Sequence, residues 1–298
     1  MSAVKKKVVF ERIMTNGKWG ILLLVSAIIL SSLLTYLLMD RKIFDNDVEY
    51  KIVYDALRAT DTRDASCKLS HRIPRVIYRT GRDKKLSVSH QKAWNLTAQN
   101  NPEYVQILYT DAEVNDFMAN FEGGWVKPTY DALVPGAARA DLFRYCIIYE
   151  NGGVYLDLKS GAYGLDDLIR TDDRMIVSTW PTYVSTGENE PRPDFGEFQQ
   201  WWLVCEAKHP IIHRLIETIV RNVSDRLARN ELQTDDTRLD VLQTTGPLVF
   251  TDVILNSKCQ NAPRVTLPNG NRTFVYDVAG DHPSGKGYSS GPLLKKSV

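Results

Sequence analysis

The longest apolar run of the chain lies near its start. Residues 20–39 contain no charged side chain, and Asp40 follows at once. A helix of this length is about 30 Å long, enough to cross a bilayer. We therefore expect a transmembrane helix over 19–39. A buried soluble helix and a cleaved signal peptide are the alternatives.

A second pattern, with a helical period, occupies the middle of the chain. Residues 137–151 place apolar side chains three and four positions apart, which predicts a helix packed on a core. Asp141 and Arg144 interrupt this pattern and, being three apart, lie on one face of the helix. The Asn-Gly-Gly sequence that follows tolerates positive φ and ends the helix. The run 154–156 then predicts a short buried strand.

Charged residues follow that strand. Period-2 alternation places Asp157 and Lys159 on the same side of the chain. Open α/β sheets bind their ligands beyond the carboxyl ends of the strands. The arrangement offers carboxylate groups and two cations to a polar, anionic ligand. We predict that the side chains of Asp141, Arg144 and Asp157 converge on one pocket.

Strand and helix patterns alternate through the rest of the chain. A strand over 72–81, a helix over 87–100 and a strand over 104–109 form a βαβ unit, which implies a parallel sheet. Asp111 is expected to cap the next helix. Further predicted elements are a strand over 175–180, an amphipathic helix over 211–227, and a late strand over 274–278. The predicted class is α/β.

Composition and charge fit this layout. The chain has 298 residues, 43% of them hydrophobic, and a formal net charge of +1. This suits one globular domain with an appendage, and it implies no nucleic-acid-binding surface. Basic residues precede the apolar run, whereas mixed charges follow it, so the N-terminus is expected in the cytosol. The expected segments are a cytosolic tail (1–18), a membrane helix (19–39), a stem (40–70) and a luminal domain (71–298).

The central stretch resembles the sugar-nucleotide site of the family-32 glycosyltransferases. Their pattern is roughly A-x-x-S-D-hydrophobic-x-R-Y, then G-G-hydrophobic-Y-hydrophobic-D-x-D. Lys159 departs from it, because it stands where the second Asp of D-x-D is expected. The segment Thr245-Gly246-Pro247 is similar to the family's T-G-P segment near the acceptor. The residues that match the main pattern are Asp141, Arg144, Tyr145, Gly152, Gly153, Tyr155 and Asp157.

The resemblance implies a fold and a reaction. It implies a GT-A-like, Rossmann-type mixed sheet flanked by helices. It also implies a retaining enzyme that moves a hexose from GDP-mannose or a UDP-sugar to a glycan or glycolipid. The charges around the apolar run predict a single-pass type II protein, a layout typical of glycosyltransferases of the Golgi membrane. Asp157, Asp141 and Arg144 are the expected catalytic residues. The expected donor-binding residues are these three with Tyr78, Arg79, Thr80, Gly152, Gly153 and Lys159.

The resemblance also implies a divalent cofactor, Mn²⁺ or Mg²⁺, with Asp157 and His282 as candidate ligands. Lys159 leaves two alternatives open, because a charged ammonium cannot be a ligand. Either Lys159 itself neutralises the diphosphate, or another carboxylate such as Asp166 or Asp281 holds the metal.

Two other functions compete with sugar transfer. The first is a catalytically inactive, membrane-anchored protein that binds a sugar nucleotide or a glycan, and the loss of the second Asp motivates it. The second is a membrane-anchored hydrolase that uses paired acids, but no second acid is firmly predicted opposite Asp157.

Overall fold

The computed structural model describes residues 73–180, 197–257, 263–266, 270, 272–280 and 291–295. The predicted tail, membrane helix and stem lie outside these residues, and so does His282. Within the described ranges, no helix combines the length and the apolarity that a bilayer crossing needs.

A mixed six-stranded sheet lies at the centre of the described structure, in the order β2-β1-β3-β6-β5-β7. β1 is parallel to both β2 and β3, whereas β6 runs antiparallel to β3 and β5. A separate two-stranded sheet pairs β4 with β8. The strands are β1 (Val76–Gly81), β2 (Val105–Thr110), β3 (Gly153–Leu156), β4 (Gly161–Ala162), β5 (Met175–Ser178), β6 (Trp202–Cys205), β7 (Arg264–Thr266) and β8 (Phe274–Val275).

Helices pack against this sheet, which confirms the α/β prediction. They are α1 (Val88–Asn100), α2 (Asp111–Asn120), α3 (Lys127–Ala132), α4 (Gly136–Asn151), α5 (Leu165–Leu168), α6 (Pro210–Ala228), α7 (Thr237–Thr244) and α8 (Pro247–Leu255), with a 3₁₀ turn over Phe121–Gly124.

The central helix α4 and strand β3 are both deeply buried. α4 contacts β1, β3 and β6 on one side and α6 on another. Its apolar residues Leu142, Phe143 and Ile147 are fully enclosed, as are the side chains of β3. Because β1 and β3 are parallel, their carboxyl ends meet at one edge of the sheet. The fold therefore brings residues after Gly81 and after Leu156 to a common edge.

Most predicted boundaries lie within a few residues of the observed ones, but two expectations were wrong. Asp111 is the first residue of α2 rather than its cap. Thr110 caps the helix, because its hydroxyl accepts from the amide of Glu113 while the Glu113 carboxylate accepts from the amide of Thr110. The late strand is only Phe274–Val275, since its partner β4 is equally short.

Candidate active site

The first pair of site residues comes from one face of α4. Asp141 and Arg144 are one helical turn apart, and Asp141 Oδ1 lies 3.0 Å from Arg144 Nη2. Both residues are only 4% exposed. A charge this deeply buried is stable only when it is paired and hydrogen-bonded.

The third member of the cluster follows β3. Arg144 Nη2 lies 3.1 Å from Asp157 Oδ1, so a single guanidinium bridges two carboxylates. The guanidinium carbon of Arg144 also lies 5.0 Å from the centre of the Tyr155 ring. Asp157 is partly exposed at the sheet edge. The three side chains predicted to converge therefore contact one another. That they face a common ligand pocket stays a prediction.

Two residues from distant segments complete the hydrogen bonds of Asp141. Gln200 Nε2 donates to Asp141 Oδ1 at 3.1 Å, and Thr245 Oγ1 donates to Asp141 Oδ2 at 3.0 Å. Arg144 Nη1 donates to the backbone oxygen of Gln200 at 2.8 Å and to its side-chain oxygen. Sequence reasoning missed Gln200. Thr245 belongs to the T-G-P segment, but its bond to Asp141 was not foreseen.

Burial and neighbouring charges shift the pKa values of this pair. Burial raises the pKa of Asp141 to about 6, although Arg144, Gln200 and Thr245 all act to lower it. Burial alone would lower the pKa of Arg144, but the carboxylates of Asp157 and Asp141 raise it above its ordinary value. Arg144 Nε has no hydrogen-bond partner among the described residues. The guanidinium thus stays charged and keeps a donor.

A cavity of about 340 Å³ opens at the same edge of the sheet. It lies between the end of β1, the start of α2, the helix α3 and the first turn of α4. Ala140, which lines it, directly precedes Asp141. Small-molecule sites are typically of this size or somewhat larger. The lining residues are Thr80, Gly81, Arg82, Asp111, Val114, Asn115, Tyr130, Asp131, Val134, Gly136, Arg139 and Ala140.

These elements coincide with a known sequence family. Residues 87–162 match the model of the family described as "Glycosyltransferase sugar-binding region containing DXD motif". This part of the chain is therefore similar to the sugar-binding region of DXD glycosyltransferases. Within residues 87–162, called the DXD region below, Asp157-Leu158-Lys159 is the segment that resembles the D-x-D motif, and Asp141 and Arg144 lie on the helix before it.

Curated relatives of the DXD region are named as mannosyltransferases. The chain is 25% identical to the "Initiation-specific alpha-1,6-mannosyltransferase" of Candida albicans, over 57% of this chain and 47% of that protein. It is 33% identical to "Inositol phosphoceramide mannosyltransferase 3" of Schizosaccharomyces pombe, over 38% of this chain and 32% of that protein. The chain thus spans less than half of the length of either relative.

A solved structure, titled "PaToxG Glycosyltransferase", overlaps 72% of this chain and 79% of its own, with a TM-score of 0.41 and 17% identity. A score in this range does not establish a shared fold.

The three predicted donor residues of β1 lie on different sides of the sheet. Thr80 lines the cavity. Tyr78 is buried, with its ring 6.3 Å from that of Tyr109. Arg79 is fully enclosed and is not among the lining residues of the cavity. The physical reason is the alternation of a strand, which turns Arg79 away from the side of Thr80.

Arg79 forms hydrogen bonds with the backbone of the DXD region. Its Nη1 lies 3.1, 3.3 and 2.7 Å from the carbonyl oxygens of Asp157, Leu158 and Ser160. Its Nη2 donates to Thr97 at 2.9 Å. Burial lowers its pKa to about 10, which leaves it charged at neutral pH. Arg79 therefore fixes the backbone of the turn that carries Asp157.

Gly152 and Gly153 lie at the amino end of β3, at the opposite end from Asp157. Both have positive φ, 65° and 106°. A Cβ at Gly152 would lie 2.6 Å from the amide nitrogen of Ala207, and one at Gly153 would lie 2.7 Å from the carbonyl oxygen of Val76. These glycines allow close packing of the backbone, and their predicted contact with a donor has no counterpart in this geometry.

Lys159 lies beside the DXD aspartate, half-buried. Its ammonium donates to the Tyr276 hydroxyl at 2.8 Å and lies 4.1 Å from the centre of that ring. Burial lowers the pKa of Lys159, while the charges of Asp157 and Asp277 oppose this effect.

The described residues do not fit a divalent metal. Asp157 Oδ1 already accepts from Arg144. An ammonium at position 159 has no lone pair to give a metal. Across the described part of the chain, no group of three or more His, Cys, Asp or Glu side chains is arranged to hold a metal ion. Asp166, the described alternative, is bound by Arg75 and Tyr104. His282 and Asp281 lie outside that part.

Proposed function

We propose that this chain transfers a hexose, with retention of anomeric configuration, from a nucleotide sugar to a hydroxyl of a glycan or glycolipid. The observation that carries the proposal is the buried Asp141–Arg144–Asp157 cluster. A cavity of about 340 Å³ is lined by residues from the end of β1 and by Ala140, the residue before Asp141. The polar groups of the cluster suit a ligand that is both hydroxylated and anionic.

Each member of the cluster has a distinct task in this proposal. The Asp141 carboxylate accepts hydrogen bonds, so it recognises hexose hydroxyls in place of the contacts from Gln200 and Thr245. Arg144 holds Asp141 and Asp157 in position through its ion pairs with both carboxylates. Asp157, which is partly exposed, accepts a hydrogen bond from a ribose hydroxyl. The nucleoside occupies the cavity that Thr80 and Ala140 line.

The reaction needs no redox step. The bond between the anomeric carbon and the β-phosphate oxygen breaks, and its electron pair stays on the diphosphate. The acceptor oxygen bonds to the anomeric carbon on the same face, and its proton passes to a diphosphate oxygen. The protein contributes positioning and stabilisation of the developing phosphate charge.

The names of the relatives support the class of donor and acceptor. Both are called mannosyltransferases, and one name includes inositol phosphoceramide. We therefore favour GDP-mannose over UDP-sugars as the donor, and a glycan or an inositol-containing sphingolipid as the acceptor. In this proposal the domain has a GT-A-like fold and faces the Golgi lumen, and residues 19–39 anchor it in the membrane.

Turnover of a donor panel tests the proposal. The full chain in detergent is incubated with GDP-mannose and with UDP-linked glucose, galactose and N-acetylglucosamine. Release of the free nucleoside diphosphate is measured with and without acceptor. We expect release from at least one donor, and loss of about 100-fold or more in Asp157→Asn. Binding of a donor without any release would contradict transfer and favour the inactive binding protein that the substitution at Lys159 suggests.

A further inference from the structure

The DXD region of this chain differs from its family description in charge. Lys159 stands where the second Asp of the motif is expected. Replacing a carboxylate by an ammonium changes the formal charge from −1 to +1, a difference of two units. Mg²⁺ and Mn²⁺ carry this same charge. The substitution alone therefore supplies the positive charge that a divalent ion would bring.

The surroundings of Lys159 hold its ammonium against the ring and hydroxyl of Tyr276. Its Nζ donates to the Tyr276 hydroxyl at 2.8 Å, and its backbone oxygen accepts from Val278 at 3.1 Å. These contacts fix both ends of the side chain. Residues 157–159 are all partly exposed, whereas Leu156 before them and Ser160 after them are buried. The turn thus presents Asp157 and Lys159 together at the surface of the site.

Asp157 is already provided with positive charge. Arg144 lies 3.1 Å from its carboxylate, and the charge of Lys159 acts on the same group. Two cations (Arg144 and Lys159) thus balance the two carboxylates of Asp141 and Asp157, and Asp277 adds a third carboxylate that acts on Lys159. A metal ion at Asp157 would meet both cations, whereas a diphosphate would be attracted by them.

We propose that the ammonium of Lys159 takes the place of the divalent cation on the donor diphosphate, so that neither donor binding nor transfer requires a metal. The inference rests on the proposed function and deepens it. Lys159 donates hydrogen bonds to the β-phosphate oxygens and stabilises the negative charge that they gain as the anomeric bond breaks. It gains and loses no proton, and the bonds made and broken are those given above.

Calorimetric titration of GDP and UDP into the full chain in detergent tests this inference without turnover. Each titration is run in excess EDTA and again in Mn²⁺. For the wild-type chain we expect the better nucleotide to bind with Kd values that agree within about twofold in both buffers. Lys159→Asp restores the D-x-D sequence, and we expect its binding to be at least about tenfold tighter in Mn²⁺ than in EDTA.

Two further variants make the result specific to position 159. Lys159→Met keeps most of the side-chain volume but removes the charge, and we expect about tenfold weaker nucleotide binding in both buffers. Lys92→Asp makes the same change of charge on an exposed position of α1, and we expect it to match the wild-type chain.

Three outcomes would overturn the inference. Binding to the wild-type chain that appears only with Mn²⁺ would assign the role to a metal and leave the proposed transfer intact. Unchanged binding in Lys159→Met would show that the ammonium does not contact the diphosphate. Failure of the wild-type chain to bind either nucleotide would overturn the proposed function as well.

Discussion

A single buried carboxyl group, that of Asp141, sets the pH range of the proposed site. Its pKa is raised to about 6 because it is buried, despite the nearby charge of Arg144. Above this pH the group is a carboxylate that accepts hydrogen bonds at both oxygens. Below it, the group carries a proton and loses part of this capacity.

The pKa of Asp141 predicts how donor binding depends on pH. As the pH falls through about 6, protonation of Asp141 should weaken binding of the sugar nucleotide, measured by titration between pH 5 and 8. In Asp141→Asn this transition should be absent, with weak binding throughout. An unchanged pH profile in Asp141→Asn would assign the transition to another group.

The same group predicts a pH effect on stability with the opposite sign. The folded-state pKa of Asp141 lies above its ordinary value, so the folded protein holds the proton more tightly than the unfolded chain. This contribution to stability is complete at pH values below the ordinary pKa and is lost as the pH rises through about 6. Urea denaturation at several pH values should show this decline in the wild-type chain, and a smaller one in Asp141→Asn.

Sequence reasoning found Asp141, Arg144 and Asp157 because they belong to one local motif. It could not find Gln200, since this residue joins the site across 59 positions of sequence. It also placed Arg79 with Thr80, although strand alternation already assigns the two residues to opposite faces. The lesson is that local spacing predicts which residues share an element, but long-range packing decides what faces them.

At the scale of an element, the turn over 157–160 depends on support from β1. Arg79 supplies hydrogen bonds to three of its carbonyl groups and is fully buried. Arg79→Leu removes this donor from the carbonyl groups of Leu158 and Ser160, whereas the Asp157 carbonyl still accepts from the Ser160 amide. We expect a loss of about 3–5 kcal/mol in the free energy of unfolding, measured by urea denaturation.

Arg75→Leu is the matched control for Arg79. Arg75 belongs to the segment before β1, and its ion pair with Asp166 is exposed. Exposed pairs contribute little, so the denaturation midpoint should stay close to that of the wild-type chain. Equal losses in the two variants would contradict a special role of Arg79 in holding the turn.

The junction between α4 and β3 requires glycine for steric reasons. Gly153 has φ 106°, and an added Cβ would lie 2.7 Å from the Val76 carbonyl oxygen. We expect Gly153→Ala to cost roughly 1–3 kcal/mol of stability. Gly136, the first residue of α4, has no atom within 4 Å of an added Cβ. Gly136→Ala should leave the thermal midpoint unchanged or raise it, and a drop like that of Gly153→Ala would argue against the steric explanation.

At the scale of the whole molecule, the sequence predicts a membrane anchor over 19–39. Arginine at the centre of a membrane helix costs about 2.5–3.5 kcal/mol on insertion scales. We expect the unaltered chain to stay in the membrane pellet during alkaline carbonate extraction, and the double variant Leu24→Arg, Ile29→Arg to move to the supernatant. An unaltered chain that is extracted by carbonate would contradict the anchor.

Elements with a clear local period, such as β1, α1, β2, α4, β3 and α6, could be predicted, whereas the short elements α3, β4, α5, β6 and β7 were not predicted. The neighbours of each strand in the sheet could not be predicted, because antiparallel β6 pairs with β3 only after the chain has passed through β4, α5 and β5. This pairing brings Gln200 next to Asp141 and Arg144. The complete hydrogen-bonded cluster is thus a property of the whole domain, although its charged residues come from the 137–160 segment.

The central claim is that Asp141 recognises the sugar of a nucleotide sugar. It is tested most directly by the affinity of Asp141→Asn for a sugar nucleotide and for the matching free diphosphate. The two pairs of ligands are GDP-mannose with GDP, and UDP-glucose with UDP. The account predicts binding of the sugar nucleotide weakened by about tenfold, and binding of the free diphosphate unchanged within about twofold. Equal weakening of both ligands, or no weakening of either, would contradict it.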